Sequence, residues 1–154
     1  MLHAVIMAGG VGTRFWPQSR RRMPKQFLRM TGSNTLIQQA SERCHPAIPD
    51  ERTWIVTGAA HSVETARQLP EVPSEQILVE PCGRNTAPCI GLAAIQLLAV
   101  DPDAVMLVMP ADHIIEPTEQ FRRAVEEAVT LIEKEQSTLV LFGVEPTYPA
   151  TGFG

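Results

Sequence analysis

Acidic side chains are missing from the first 41 residues; the first Asp or Glu in the chain is Glu42. Aromatic residues are scarce, at 5%, and there are three cysteines in 154 residues. Those three, Cys44, Cys82 and Cys89, are an odd number without paired ligand spacing. A disulfide framework or a cysteine zinc site is therefore not expected, and a reducing cytoplasm is the expected compartment. No apolar run approaches the roughly 20 residues that cross a bilayer. The N-terminal "MLHAVIMAGG" has no basic flank and meets glycine too early for a signal peptide. An acidic chain with few aromatics among its cations is also a poor match to a nucleic-acid binder.

The cations are unevenly placed. Residues 1–41 carry Arg14, Arg20, Arg21, Arg22, Lys25 and Arg29, a local charge of +6, within a chain of net charge −4. A confined positive field on an acidic body predicts a compact anion as partner. A hydrophobic content of 44% and the length suit one domain with a real core.

The hydrophobic pattern alternates strand and helix. "LHAVIMA" (2–8), "TWIVTG" (53–58), "QILVEP" (76–81), "AVMLVMPAD" (104–112) and "STLVLFGV" (137–144) are short apolar runs of the kind buried on both faces. Helices are predicted at 35–44, 60–69, 85–100 and 118–134, the last with Phe121, Val125, Ala128 and Ile132 on one face. Asn85 or Thr86 is placed to cap the third helix, with Pro88 in its first turn. Five strands alternating with helices predict a three-layer, Rossmann-like α/β domain with a mainly parallel sheet and right-handed crossovers. Ligands collect beyond the carboxyl ends of such strands. Gly9–Lys25, Glu80–Pro88 and Pro110–His113 all fall there.

Gly9, Gly10 and Gly12 follow the first strand, where they permit positive φ and close backbone approach to a ligand. The third glycine of a dinucleotide fingerprint is absent, as is the Gly-Lys-Ser/Thr of a Walker loop. What remains is a long loop with Arg14 near its start and Lys25 near its end, a bidentate clamp and a point charge suited to phosphate. Glu80, at a strand end, presents two carboxylate acceptors to a ligand edge that carries two donors, with Arg84 and Asn85 in the loop beside it. The competing reading is that Glu80-Pro81 only shapes a turn and Asn85 only caps. Cys82 and Cys89 read as small packing residues, and His113 as positional.

These residues carry a family resemblance. "MAGGVGTRFWPQSRRRMPKQFL" (7–28) resembles the nucleotide-binding signature of sugar-1-phosphate nucleotidyltransferases, and among them that of bacterial mannose-1-phosphate guanylyltransferases. "VEPCGRNTAP" (79–88), "VMPADH" (108–113) and "FGVEPTYPATGFG" (142–154) agree in order. The resemblance implies the nucleotide-diphospho-sugar transferase type of fold. It implies that Gly9, Gly10, Gly12 and Thr13 wrap the nucleotide, that Arg14 and Lys25 bind its phosphates, and that Asp112 is a carboxylate ligand of Mg²⁺. The implied substrates are GTP and mannose-1-phosphate, and the products GDP-mannose and pyrophosphate. With GTP as substrate, Glu80 is expected to accept from guanine N1–H and the exocyclic amine together, with Arg84 and Asn85 near the base or ribose. Gln18 stands where the pattern has leucine, and Ala150 where it commonly has glutamate.

The family's sugar-phosphate-binding Glu-Lys-Pro segment and second metal-binding aspartate are expected beyond Gly154. Residues 1–154 are accordingly expected to be the N-terminal, nucleotide-binding part of a longer transferase domain. Two functions follow: guanylyl transfer, or a nucleotide-binding module that holds Mg·GTP without transfer. A sheet truncated in this way could expose apolar edges, so a homo-oligomer is a further expectation.

Overall fold

A computed structural model describes residues 1–10, 16–20, 23–135, 137–145 and 148–149. Four parallel strands form the sheet: β1 (Leu2–Met7), β2 (Thr53–Gly58), β3 (Ile77–Glu80) and β4 (Val105–Pro110), in the order β3-β2-β1-β4. Between and after them run α1 (Leu36–Cys44), α2 (Ser62–Gln68), α3 (Thr86–Val100) and α4 (Thr118–Lys134). The strands form here because their Val, Ile and Leu side chains find cover on both faces. Ala4, Val5, Ile6, Ile55 and Val56 are fully buried.

Two cores flank the sheet. On one face Ala4, Ile6 and Ile55 pack with Ile37 and Ala40 of α1 and Val125 of α4. On the other, Val5, Trp54 and Val56 pack with Cys89, Ala93 and Leu97 of α3. The predicted three-layer α/β architecture is therefore the observed one. From β1 the chain steps outward to β2 and β3, then returns past β1 to place β4 on its other side. That reversal brings the loops after β1 and β4 together at the carboxyl end of the sheet.

The fifth predicted strand is not found. Residues 138–145 have no strand pairing, and Leu139, Leu141 and Val144 are 91%, 91% and 93% exposed. The apolar pattern is right for a strand, but pairing needs a vacant neighbour. Helix α4 lies on the α1 face, and a right-handed crossover through that face leads from β4 toward β1, whose place is taken. Unpaired apolar segments invite pairing between copies. Light scattering should detect concentration-dependent self-association, reduced by the double substitution Leu139→Lys, Leu141→Lys. A monodisperse monomer at all concentrations would refute that expectation.

Cysteine burial is mixed. Cys44 and Cys89 are buried, whereas Cys82 is exposed, contrary to its reading as a packing residue. It follows Pro81 in the loop after β3, where no helix among the described residues covers it. Burial pushes the Cys44 thiol from 9.0 to about 12 and the Cys89 thiol to about 11, the latter helped by the nearby Glu80 carboxylate. A thiol reagent near pH 8 should therefore label Cys82 alone until the chain unfolds. Above about pH 9 unfolded thiols ionise while these two keep their protons. The unfolded state then binds fewer protons, so stability should fall as pH rises from 9 toward 12, measurable by urea titration. Serine at both positions should flatten that slope.

Candidate functional site

The site is built on the end of β1. Ala8 extends the strand by donating its N–H to the Val56 carbonyl at 2.8 Å. Its own carbonyl accepts from Gln26 Nε2 at 2.8 Å and from Thr57 Oγ1 at 3.4 Å. Gln26 also donates to the Gly10 carbonyl at 3.5 Å. The chain then turns at Gly10, with φ +97°, a backbone state that a side chain would strain. Gly9 stands close to the end of β3: a Cβ there would lie 3.2 Å from Glu80 Oε2, tight enough that the carboxylate would have to shift slightly. The glycine turn and the Glu80 carboxylate are thus in close approach, though they stand 71 residues apart.

Lys25 opens a short 3-10 turn, Lys25–Phe27, whose Gln26 and Phe27 are buried. Phe27 meets the His61 ring edge-on at 6.0 Å, and Pro24 beside it is also fully buried. This anchoring holds Lys25 at the strand ends, where its Nζ lies 3.3 Å from Asp112 Oδ2. Asp112 is reached by β4, whose continuation is tied back to β1 through Ala111 N–H and the Met7 carbonyl at 3.0 Å. The Lys25 side chain is 20% exposed and that of Asp112 is 42% exposed, so the pair is partly hydrated. Such a pair adds little stability. It does hold a cation and a carboxylate side by side at a sheet end.

Beyond β3, Arg84 and Asn85 are exposed. Asn85 occupies the N-cap position of α3 but its side chain makes no cap hydrogen bond, so the capping expectation fails. The cause is its backbone, which sits at φ +65° and outside the extended region from which a cap side chain reaches back. With ψ at −163°, this is a conformation that residues with a Cβ rarely adopt, so the loop before α3 carries local backbone strain at Asn85. Gly12, Thr13 and Arg14 lie outside the described residues.

Gly9 and Glu80 therefore come together, as do Lys25 and Asp112, with Gln26 between the glycine turn and the lysine. Gln26 was legible in the "PKQFL" segment but carried no chemical signal, because an amide only gains meaning when its partners are seen. His3, unassigned in the sequence, is buried and bridges two side chains. It accepts from Trp54 Nε1 at 3.3 Å through Nδ1, which leaves the Nε2 proton for Asp101 at 3.1 Å.

The donor chemistry fits a hard divalent ion brought in by phosphates. Among the described residues no three His, Cys, Asp or Glu side chains converge as a metal cage. Asp112 supplies one accessible carboxylate, and Mg²⁺ typically takes one or two together with phosphate oxygens and waters.

A family described as nucleotidyl transferase matches residues 3–154. The chain belongs to the nucleotidyl transferase family. Among curated relatives of this nucleotidyl transferase, the alginate biosynthesis protein AlgA of Pseudomonas putida is 42% identical over 156 residues, covering 100% of this chain and 32% of AlgA. Mannose-1-phosphate guanylyltransferase 2 of Escherichia coli O157:H7 is 40% identical, covering 98% of this chain and 32% of its own length. The chain thus spans about a third of the length of these relatives. A solved structure described as mannose-1-phosphate geranyltransferase from Thermus thermophilus superposes with a TM-score of 0.73 at 35% identity, over 88% of this chain and 38% of that one. A glucose-1-phosphate thymidylyltransferase structure from Bacillus anthracis shares the fold at 22% identity and a TM-score of 0.67, over 84% of this chain and 51% of that one. Among the described residues of this nucleotidyl transferase, no helix is long and apolar enough to cross a membrane.

Proposed function

We propose that this chain is the nucleotide-binding part of a mannose-1-phosphate guanylyltransferase, joining GTP and mannose-1-phosphate to give GDP-mannose and pyrophosphate. The observation that carries the reading is the Lys25–Asp112 pair at 3.3 Å beside the glycine turn, where β1 and β4 end together. The 40% identical guanylyltransferase of Escherichia coli supports the choice of base and sugar.

In this reading a phosphate oxygen of the sugar attacks the α-phosphorus of GTP. The new O–P bond forms as the bond to the β-phosphate oxygen breaks, and pyrophosphate leaves with that electron pair. The sugar phosphate is already ionised, so no protein nucleophile is required. Gly9 and Gly10 let the backbone close around the nucleotide, joined by Gly12 and Thr13 of the same motif. Lys25, with Arg14, holds the phosphates and offsets charge growing on the leaving group, an interaction stronger in the transition state than in the ground state. Glu80 accepts from the guanine edge, with Arg84 and Asn85 beside base or ribose. Asp112 would hold Mg²⁺, which when bound supplies further charge neutralisation at the phosphate oxygens.

A second reading is that these 154 residues, which span about a third of the matched relatives' length, bind Mg·GTP by themselves without transfer. Pyrophosphate release from GTP, mannose-1-phosphate and Mg²⁺, measured beside GTP binding, separates the two. Release supports transfer, binding alone supports the module, and absence of both overturns the nucleotide site.

A further inference from the structure

Arg43 stands in the last turn of α1, on the stripe through which Leu36, Ile37 and Ala40 face the core, and is only 4% exposed. A guanidinium is costly to bury unless its donors are met. Here Nη2 donates to the His113 carbonyl at 2.9 Å. The guanidinium carbon lies 5.7 Å from the centre of the Phe121 ring on α4. Nη1 is buried with no hydrogen-bond partner among the described residues. Desolvation accordingly lowers the pKa of this arginine. An apolar side chain of similar length would fill the same space, and replacing buried charge in this way is often neutral or stabilising. Core stability therefore does not account for an arginine at this position.

The bond to His113 does. The preceding residue is Asp112, and the two bonds bracket it. Ala111 N–H is fixed to β1 on one side, and the His113 carbonyl is fixed to α1 on the other. Arg122 of α4 donates to the Arg43 carbonyl at 3.3 Å, so the second helix holds the clamp in place.

We propose that Arg43 is a positioning residue for Asp112: its guanidinium clamps the His113 carbonyl from α1 and keeps the Asp112 carboxylate turned toward Lys25 and the divalent ion of a bound nucleotide. The inference rests on the role proposed above for Asp112. The carbonyl and the ring together orient the planar fork, and Nη1 is left buried without a hydrogen-bond partner among the described residues.

The test is GTP affinity by calorimetry on the whole chain, with and without Mn²⁺, for the unsubstituted protein, Arg43→Met, Arg43→Lys and Asp112→Asn, beside the thermal midpoint of each. Methionine keeps the length and apolar packing while removing the donors. The affinity gained on adding Mn²⁺ should shrink about tenfold in Arg43→Met, as for other groups that orient a metal ligand. Its metal-free affinity should change less than twofold and its midpoint should hold or rise. Arg43→Lys, still a donor, should recover part of the gain. If Arg43→Met keeps the full gain while Asp112→Asn loses it, the positioning role is overturned and the metal site stands. If Asp112→Asn also keeps the gain, the role proposed for Asp112 fails and the inference falls with it. A lower midpoint with equal losses in both conditions would make Arg43 a fold residue only, and would likewise overturn the proposal.

Discussion

Lys25→Ala should lower pyrophosphate release by about a hundredfold or more, with a smaller loss in GTP affinity. The magnitude follows from the type of interaction removed. A fixed donor aimed at charge that develops in the transition state is worth roughly 100- to 1,000-fold in rate. The same ammonium on a hydrated ground-state phosphate contributes less. The Lys25 position adds a second effect. Its Nζ stands 3.3 Å from Asp112, so alanine also leaves that carboxylate without its neighbouring cation and increases local repulsion of the triphosphate. Lys25→Arg restores the charge, but a bulkier planar fork on a three-carbon stem does not reproduce a point charge, so only partial recovery is expected. Equal loss of affinity and rate would reassign Lys25 to uniform binding. An unchanged rate would remove it from the site. Should the chain bind without transfer, the alanine variant is read in GTP affinity alone.

Glu80→Gln should erode preference for GTP over ATP by about 30-fold or more. An ionised carboxylate presents two acceptors to guanine N1–H and its exocyclic amine. Adenine offers an acceptor at N1 and cannot satisfy it. Glutamine keeps one acceptor and sets a donor against the other guanine group. Hydrogen bonds to charged groups are each worth about 1.5–3 kcal/mol, and an unmatched buried donor costs a similar amount. Competition between the two nucleotides for the same chain provides the measurement, because the ratio cancels any general loss of binding. Unchanged preference would confine Glu80 to its local contact with the turn. The approach is close: a Cβ on Gly9 would lie 3.2 Å from Oε2. Gly9→Ala is therefore a poor probe of the base, since it would shift the Glu80 carboxylate itself.

Much of this fold could be read along the chain. β2 and α4 occupy the predicted residues 53–58 and 118–134, and the remaining elements of the sheet and its cover lie within a residue or two of expectation. Runs such as "HAVIM" identify themselves because a strand buried on both faces needs unbroken apolar residues. Residues 138–145 carry the same pattern without a partner, so composition there misleads. Arg43 offers the opposite case. Its spacing from Leu36 and Ala40 places it on the buried stripe of α1, which is a visible signal. A charged residue on such a stripe acquires meaning only once the His113 carbonyl is seen beside it.

By itself, then, the sequence determined the alternation of strand and helix and the glycine-and-cation loop behind the first strand. It also determined which loops fall at strand ends. Those are local properties, set by side-chain period and backbone sterics within a few residues. The tertiary structure alone decided that Glu80 meets Gly9, that Lys25 meets Asp112, and that Arg43 reaches His113. Each of these pairs joins segments far apart in the chain. Their meeting depends on strand order and on which face each helix covers, and these are settled only when the whole sheet is packed.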